Sequence, residues 1–231
     1  MSQPDPLFHK GHRQRLTDKV MKGKATEYEL LEYWLTRAVP RRDMRPLARL
    51  LMKTFGSYSQ VITAPRERLL EIKGVGPKII ETLEALRQSS EIDCRERLES
   101  QAVYKNPIAL ANYCKSQVCG KPVEEFHAMY LDKDHRMIVD DTHTYGGVDY
   151  ATVYPREILR RALQLNAVYV CIYHNHPRET GRFSPADIDC TEEIIKKLSR
   201  ENIILYDHYL VAGATVHSML EDGYLQKSNK N

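Results

Sequence analysis

The sequence predicts two domains, a small all-helical one over residues 1–100 and an α/β (α+β) one over residues 104–226. Three observations carry this. Before residue 100 apolar residues recur only at helical spacing, with no strand pattern. Beyond it, short β-branched and aromatic runs alternate with helical segments, as in a layered α/β fold. Between the two lies QSSEIDCRERLE (88–99), a strongly polar stretch that reads as a linker or a solvated helix, with the boundary placed near residue 100.

Residues 1–25 are polar and basic, and partial disorder is expected at their start. Leu30, Leu31, Trp34 and Leu35 mark a helix over 27–37, with Thr26 as its N-cap and Pro40 as its stop. A second helix over 44–54 closes at Phe55-Gly56-Ser57, where Gly56 is free to take a left-handed cap. Short helices fit 58–63 and 65–70, and a longer one 77–88. After the boundary, a helix over 107–118 leads to a strand at 126–131. Its hairpin partner is expected at 136–140 across the polar turn Asp132-Lys133-Asp134-His135. Gly146-Gly147 marks another turn, and 155–165 a helix with Pro155 near its first position. The run 167–173 is continuously apolar, the mark of a buried central strand. A helix over 192–200 and two short strands, 203–206 and 209–212, complete the domain.

The chain of 231 residues carries a net charge of +3, unevenly spread. Residues 1–100 hold 19 Lys and Arg against 14 Asp and Glu, and the remainder 15 against 17. This permits a nucleic-acid footprint in the N-terminal part without requiring one. No apolar stretch is long enough to span a bilayer, and the N-terminus has no signal-peptide core. Five irregularly spaced cysteines without a C-x-x-C pair point to reduced thiols and a cytoplasmic setting.

The segment CIYHNHPRETGRFSPAD (171–187) carries the chemistry. Ser184-Pro185-Ala186-Asp187 is a strong helix start, with serine as cap, proline at the first position and aspartate bonding back. On that reading His174 and His176 simply end a strand. Residues two apart in a strand share a face, however, so both imidazoles can meet one ion at a strand end, where α/β folds bind ligands. Asp187 can supply a third ligand, leaving a fourth position for water, as in catalytic zinc sites. Zn²⁺ suits two neutral nitrogens and a carboxylate, and it allows a water to ionise near neutral pH. Ser184 can donate a hydrogen bond to a developing oxyanion.

The spacing H-x-H-x7-S-x2-D, filled by His174, His176, Ser184 and Asp187, resembles the zinc motif of JAMM (MPN⁺) metallopeptidases. GVDYATVYPREILRRALQLNAVYVCIYHNHP (147–177), LYDHYLVAG (205–213) and YELLEYWLTRAVPRRDMRPLARLL with LLEIKGVGPKIIETL are similar to the RadC (UPF0758) family over roughly residues 11–226. The resemblance implies a cytidine-deaminase-like three-layer sandwich, a zinc-dependent peptide or isopeptide hydrolase, and an upstream glutamate as acid/base. In VEEFHAMYLD that glutamate is Glu124, with Glu125 beside it. Glu157 in PREI is a rival, read as a residue supporting the helix start. Asp207-His208 also fits the family, His208 as a packing or outer group near the site. The family usually has Ser-Gly after H-N-H-P, whereas this chain has Arg178-Glu179, which bears on access to the site.

Residues 69–86 have the form of a helix-hairpin-helix. Gly74 and Gly76 allow a tight turn whose amides, flanked by Lys73 and Lys78, can cradle a DNA phosphate. The alternative reading is therefore a DNA-binding protein of repair or recombination in which the JAMM-like domain is a scaffold. An HNH nuclease would spread its residues over a hairpin and a helix, and a zinc deaminase would need H-x-E with P-C-x-x-C.

Overall fold

The computed structural model describes residues 6–99, 102, 106–143, 154–177, 181–213 and 215–225, with side chains from residue 11 onward. Its chain contacts divide it into two compact units, residues 1–88 and 89–231. The division falls in the middle of a helix, about half that helix before the boundary expected near residue 100.

The first unit is helical. It contains α1 (Pro6–Met21), α2 (Glu27–Ala38), α3 (Arg45–Phe55), α4 (Tyr58–Ile62), α5 (Arg66–Leu70) and the first half of α6 (Pro77–Glu99). Thr26 caps α2 in a full capping box, with Glu29 bonding back, an arrangement that stabilises a helix by about 1 kcal/mol. Gly56 ends α3 at a φ of 95°, where a side chain would be strained. Leu31, Leu35, Leu47, Leu51, Leu69, Ile79, Ile80 and Leu83 make one buried core.

From residue 6 the basic segment is the helix α1, held by buried Leu16 and by His12 on Glu32 at 2.6 Å; the very start, where disorder is expected, lies outside the described residues. The apolar face of α1 is too thin to show as a periodicity. Of the two readings of 88–99, linker or solvated helix, the helix is found: the stretch is the second half of α6, and it carries Leu98 into the core of the second unit.

The second unit contains α7 (Pro107–Val118), β1 (Phe126–Leu131), β2 (Met137–Thr142), α8 (Pro155–Gln164), β3 (Tyr169–His176), α9 (Pro185–Ser199), β4 (Ile204–Ala212) and β5 (Thr215–Ser218). The sheet order is β2-β1-β3-β4-β5, with β3 parallel to β4 and the other neighbours antiparallel. Helix α7 packs Leu110, Tyr113, Cys114 and Val118 on one face, against Met129, Leu131, Cys171, Tyr173 and Val211. Helices α8 and α9 cover the other with Ile158, Ala162, Ile194 and Leu198, against Phe126, Ala128, Tyr130, Val170 and Ile172. The result is the expected mixed α+β sandwich of three layers around a central β3 that is buried on both faces.

The turn after β1 is as expected, with Asp132 Oδ1 accepting from the amides of Asp134 and Arg136 at 2.8 and 2.9 Å. The two short strands expected at 203–206 and 209–212 are one strand, β4. Asp207 and His208 look like a break in the sequence, but both are buried and hydrogen-bonded in mid-strand. Asp207 accepts from Ser218 Oγ at 2.5 Å and from the Leu220 amide at 3.0 Å. The four residues of β5 carry too little pattern to be seen in sequence. Gly146-Gly147 and Arg178-Glu179 lie outside the described residues.

Candidate metal centre

The centre is built at the carboxyl end of β3. His174 pairs in register with Phe126 of β1 and Leu210 of β4, so its ring is fixed from both sides and fully buried. Phe126 stacks on it at a centroid distance of 6.1 Å, and Phe183 closes the wall at 6.2 Å. His176, two residues on, shares that face and is less buried.

The first turn of α9 brings the third group. Ser184 Oγ accepts from the Asp187 amide at 3.2 Å, and the Ser184 amide donates to Asp187 Oδ2 at 2.6 Å. The capping box is found, and it is compatible with a ligand role for Asp187. The capping box orients the Asp187 carboxylate, and in that orientation Oδ1 lies 3.4 Å from His174 Nε2 and Oδ2 3.4 Å from His176 Nε2. The two Nε2 atoms are 3.1 Å apart.

These residues fit a metal ion. Among the described residues they are the one His/Cys/Asp/Glu group whose ligand atoms converge, all lying within 4.8 Å of one another. A tetrahedral ion with bonds of ~2.0–2.1 Å places its ligands about 3.3 Å apart, close to the 3.1 Å between the two Nε2 atoms and the 3.4 Å from each to one or other carboxylate oxygen. Burial alone would raise the Asp187 carboxyl. The His174 and His176 rings beside it, with the hydrogen bond from the Ser184 amide, instead hold it far below the usual carboxylate range, so it is anionic.

His208 is closer than its sequence position suggests. Its Nε2 lies 2.8 Å from His174 Nδ1, and its Nδ1 lies 2.7 Å from Thr191 Oγ1. Complete burial, with His174 beside it, pushes its pKa well below the ordinary histidine value, so the ring is uncharged. Thr191 is a residue that sequence reasoning missed. The available signal was a hydroxyl one helical turn after Asp187, on the inner face of α9.

Asn175, between the two histidines, points the other way. Its Oδ1 accepts from the Glu125 amide at 2.9 Å, and its Nδ2 donates to the Val123 and Lys121 carbonyls at 3.1 and 3.4 Å. The segment 121–125 is thereby pinned along the end of β3. Glu124 and Glu125 both lie just before β1, in the segment that Asn175 pins. Phe126 shares the face of His174, and His127 lies on the opposite one. The Glu125 carboxylate is engaged there by Lys121 at 2.5 Å and His127 at 3.2 Å. Burial opposes the shift, but those two partners hold it below its ordinary value. Glu157 is tied to Arg160 at 2.8 Å in the first turn of α8, in keeping with a role in the helix start.

A three-layer α/β domain with an H-x-H strand end facing a capped aspartate defines a JAB-type fold. The family described as a RadC-like JAB domain matches residues 104–224, and the chain belongs to that family. It is 40% identical over 223 residues to a UPF0758 protein of Ruegeria pomeroyi, covering 95% of this chain and all of that one. A UPF0758 protein of Rhodobacter capsulatus is 36% identical over 199 residues, covering 86% of this chain and 93% of its own length. Among the described residues no helix is long and apolar enough to cross a membrane.

Proposed function

We propose that this chain is a zinc-dependent hydrolase of peptide or isopeptide bonds, with the ion held by His174, His176 and Asp187. The observation that supports it is the convergence of two imidazole nitrogens and an anionic carboxylate within metal-ligand reach of one another. A bound Zn²⁺ supplies Lewis acidity and makes a water reactive at neutral pH.

The chain's own groups supply the rest. Glu124 is the acid/base, taking a proton from the attacking water at its carboxylate and returning it to the leaving amine. Its neighbour is unsuited, because Glu125 is neutralised by Lys121 and His127 on the far face. Ser184 uses a lone pair for its cap, so its hydroxyl hydrogen remains to donate to the developing oxyanion. Phe183 and Phe126 exclude water from the inner side of the site.

The test is a panel of peptides and lysine-linked isopeptides incubated with zinc-loaded protein. Cleavage lost on chelation and regained with zinc is expected. Stoichiometric zinc with no cleavage, or cleavage indifferent to the chelator, would assign the centre to another role.

A second reading, DNA binding by the first unit, is favoured by one observation. Gly74 has a φ of 104°, and the Arg42 guanidinium lies so close that a Cβ there would meet its Nη2 at 3.1 Å. Arg42 thus joins exposed Lys73 and Lys78 around Gly74 and Gly76. We expect the full chain to bind duplex DNA with a salt slope that shallows by about 1 for each lysine changed to alanine. An unchanged slope in Lys73→Ala/Lys78→Ala removes this reading.

A further inference from the structure

Thr191 and His208 are both buried, at 1% and 0% exposure, and their hydrogens can be assigned by counting. The Thr191 hydroxyl has one hydrogen. It goes to the Asp187 main-chain carbonyl at 2.6 Å, since a carbonyl only accepts. The lone pairs of Thr191 Oγ1 therefore meet His208 Nδ1, which must be the N–H of that contact. His208 is fully buried and its two ring nitrogens face a hydroxyl and an imidazole, an environment that keeps the ring uncharged with one N–H, so its Nε2 is bare and accepts from His174 Nδ1–H. His174 Nε2 is left with its lone pair, and this is the atom turned toward His176 and Asp187.

We propose that Thr191 and His208 are positioning residues that hold His174 as its Nδ1–H tautomer, so that the ring presents a bare Nε2 to the metal ion. The inference rests on the metal-centre reading above and adds to it the device that prepares one ligand. The chain of bonds runs from the main-chain oxygen of Asp187 through Thr191 and His208 to His174, whose bare Nε2 then faces the carboxylate of the same Asp187 across 3.4 Å, the gap an ion would bridge. Helix α9 and strands β3 and β4 are thus locked to one another by the groups that orient the ligands. Partners of this kind typically alter metal affinity by 10–100-fold when removed.

The variant that tests this is Thr191→Val, close in shape but without a hydroxyl, beside Thr191→Ser, which keeps one. Zinc affinity, measured by competition with a chromophoric chelator, is expected to fall roughly 10–100-fold in the valine variant and to recover in the serine variant. Equal affinity in all three proteins overturns the proposal. The second readout needs neither metal nor variant. Long-range ¹H–¹⁵N spectra of histidine-labelled, metal-free wild-type protein should show the His174 hydrogen on Nδ1, and finding it on Nε2 overturns the proposal even if Thr191→Val fails to fold. A wild type that shows the Nδ1–H tautomer but takes up no zinc would instead sink the metal-centre reading and leave the relay standing.

Discussion

Purified wild-type protein should contain about one zinc per chain by elemental analysis, and His174→Ala/His176→Ala should contain essentially none. The expectation follows from the donor count. With both imidazoles gone only the Asp187 carboxylate remains, and one carboxylate does not hold zinc against water. The fold should survive, as judged by far-ultraviolet circular dichroism, because β3 keeps its ladders to β1 and β4 on both sides. His174 is wholly buried, so its removal leaves a cavity and lowers the melting temperature. His176 lies at the strand end and is partly exposed, so His176→Ala alone should bind zinc weakly at near-wild-type stability. Full zinc in the folded double variant would place the metal elsewhere or nowhere specific.

The second large effect is expected at Glu124. Against a cleaved peptide or isopeptide, Glu124→Gln should lower kcat by ~10²–10⁴-fold while zinc content stays at the wild-type level. The glutamine keeps the size of the side chain and removes only its capacity to take a proton. Glu125→Gln should have a far smaller effect, since that carboxylate faces the opposite side of the sheet and serves Lys121 and His127. The pair of variants therefore separates a proton carrier from its immediate neighbour in the chain. A deep loss in Glu125→Gln, with Glu124→Gln active, would reverse the assignment.

Much of this was legible in the sequence because local chemistry and tertiary placement agree there. The helix at 107–118 and the strand at 126–131 fall where their capping and patterning put them. The Ser184 capping box is equally plain, and it turns out to orient the ligand it contains. Failures occur where local signals are weak or contradicted by burial. Helix α1 has a polar surface and few inward residues, so its periodicity is faint. Asp207 and His208 interrupt the apolar run in the sequence, and charged and titratable groups are seldom buried in a strand. They are tolerated because Ser218, Leu220, His174 and Thr191 satisfy them, and those partners come from other elements. Thr191 could not be found from sequence for the same reason. Its role exists only once β4 is laid beside β3.

The ligands of the centre sit on elements of unequal stiffness. His174 and His176 belong to the central strand of the sheet, whereas Asp187 rides on the first turn of a helix with exposed Pro185 and Ala186. With an ion held as proposed, the two imidazoles would form a standing half-site and the carboxylate the latch, and fraying of that one turn would govern how fast the ion leaves.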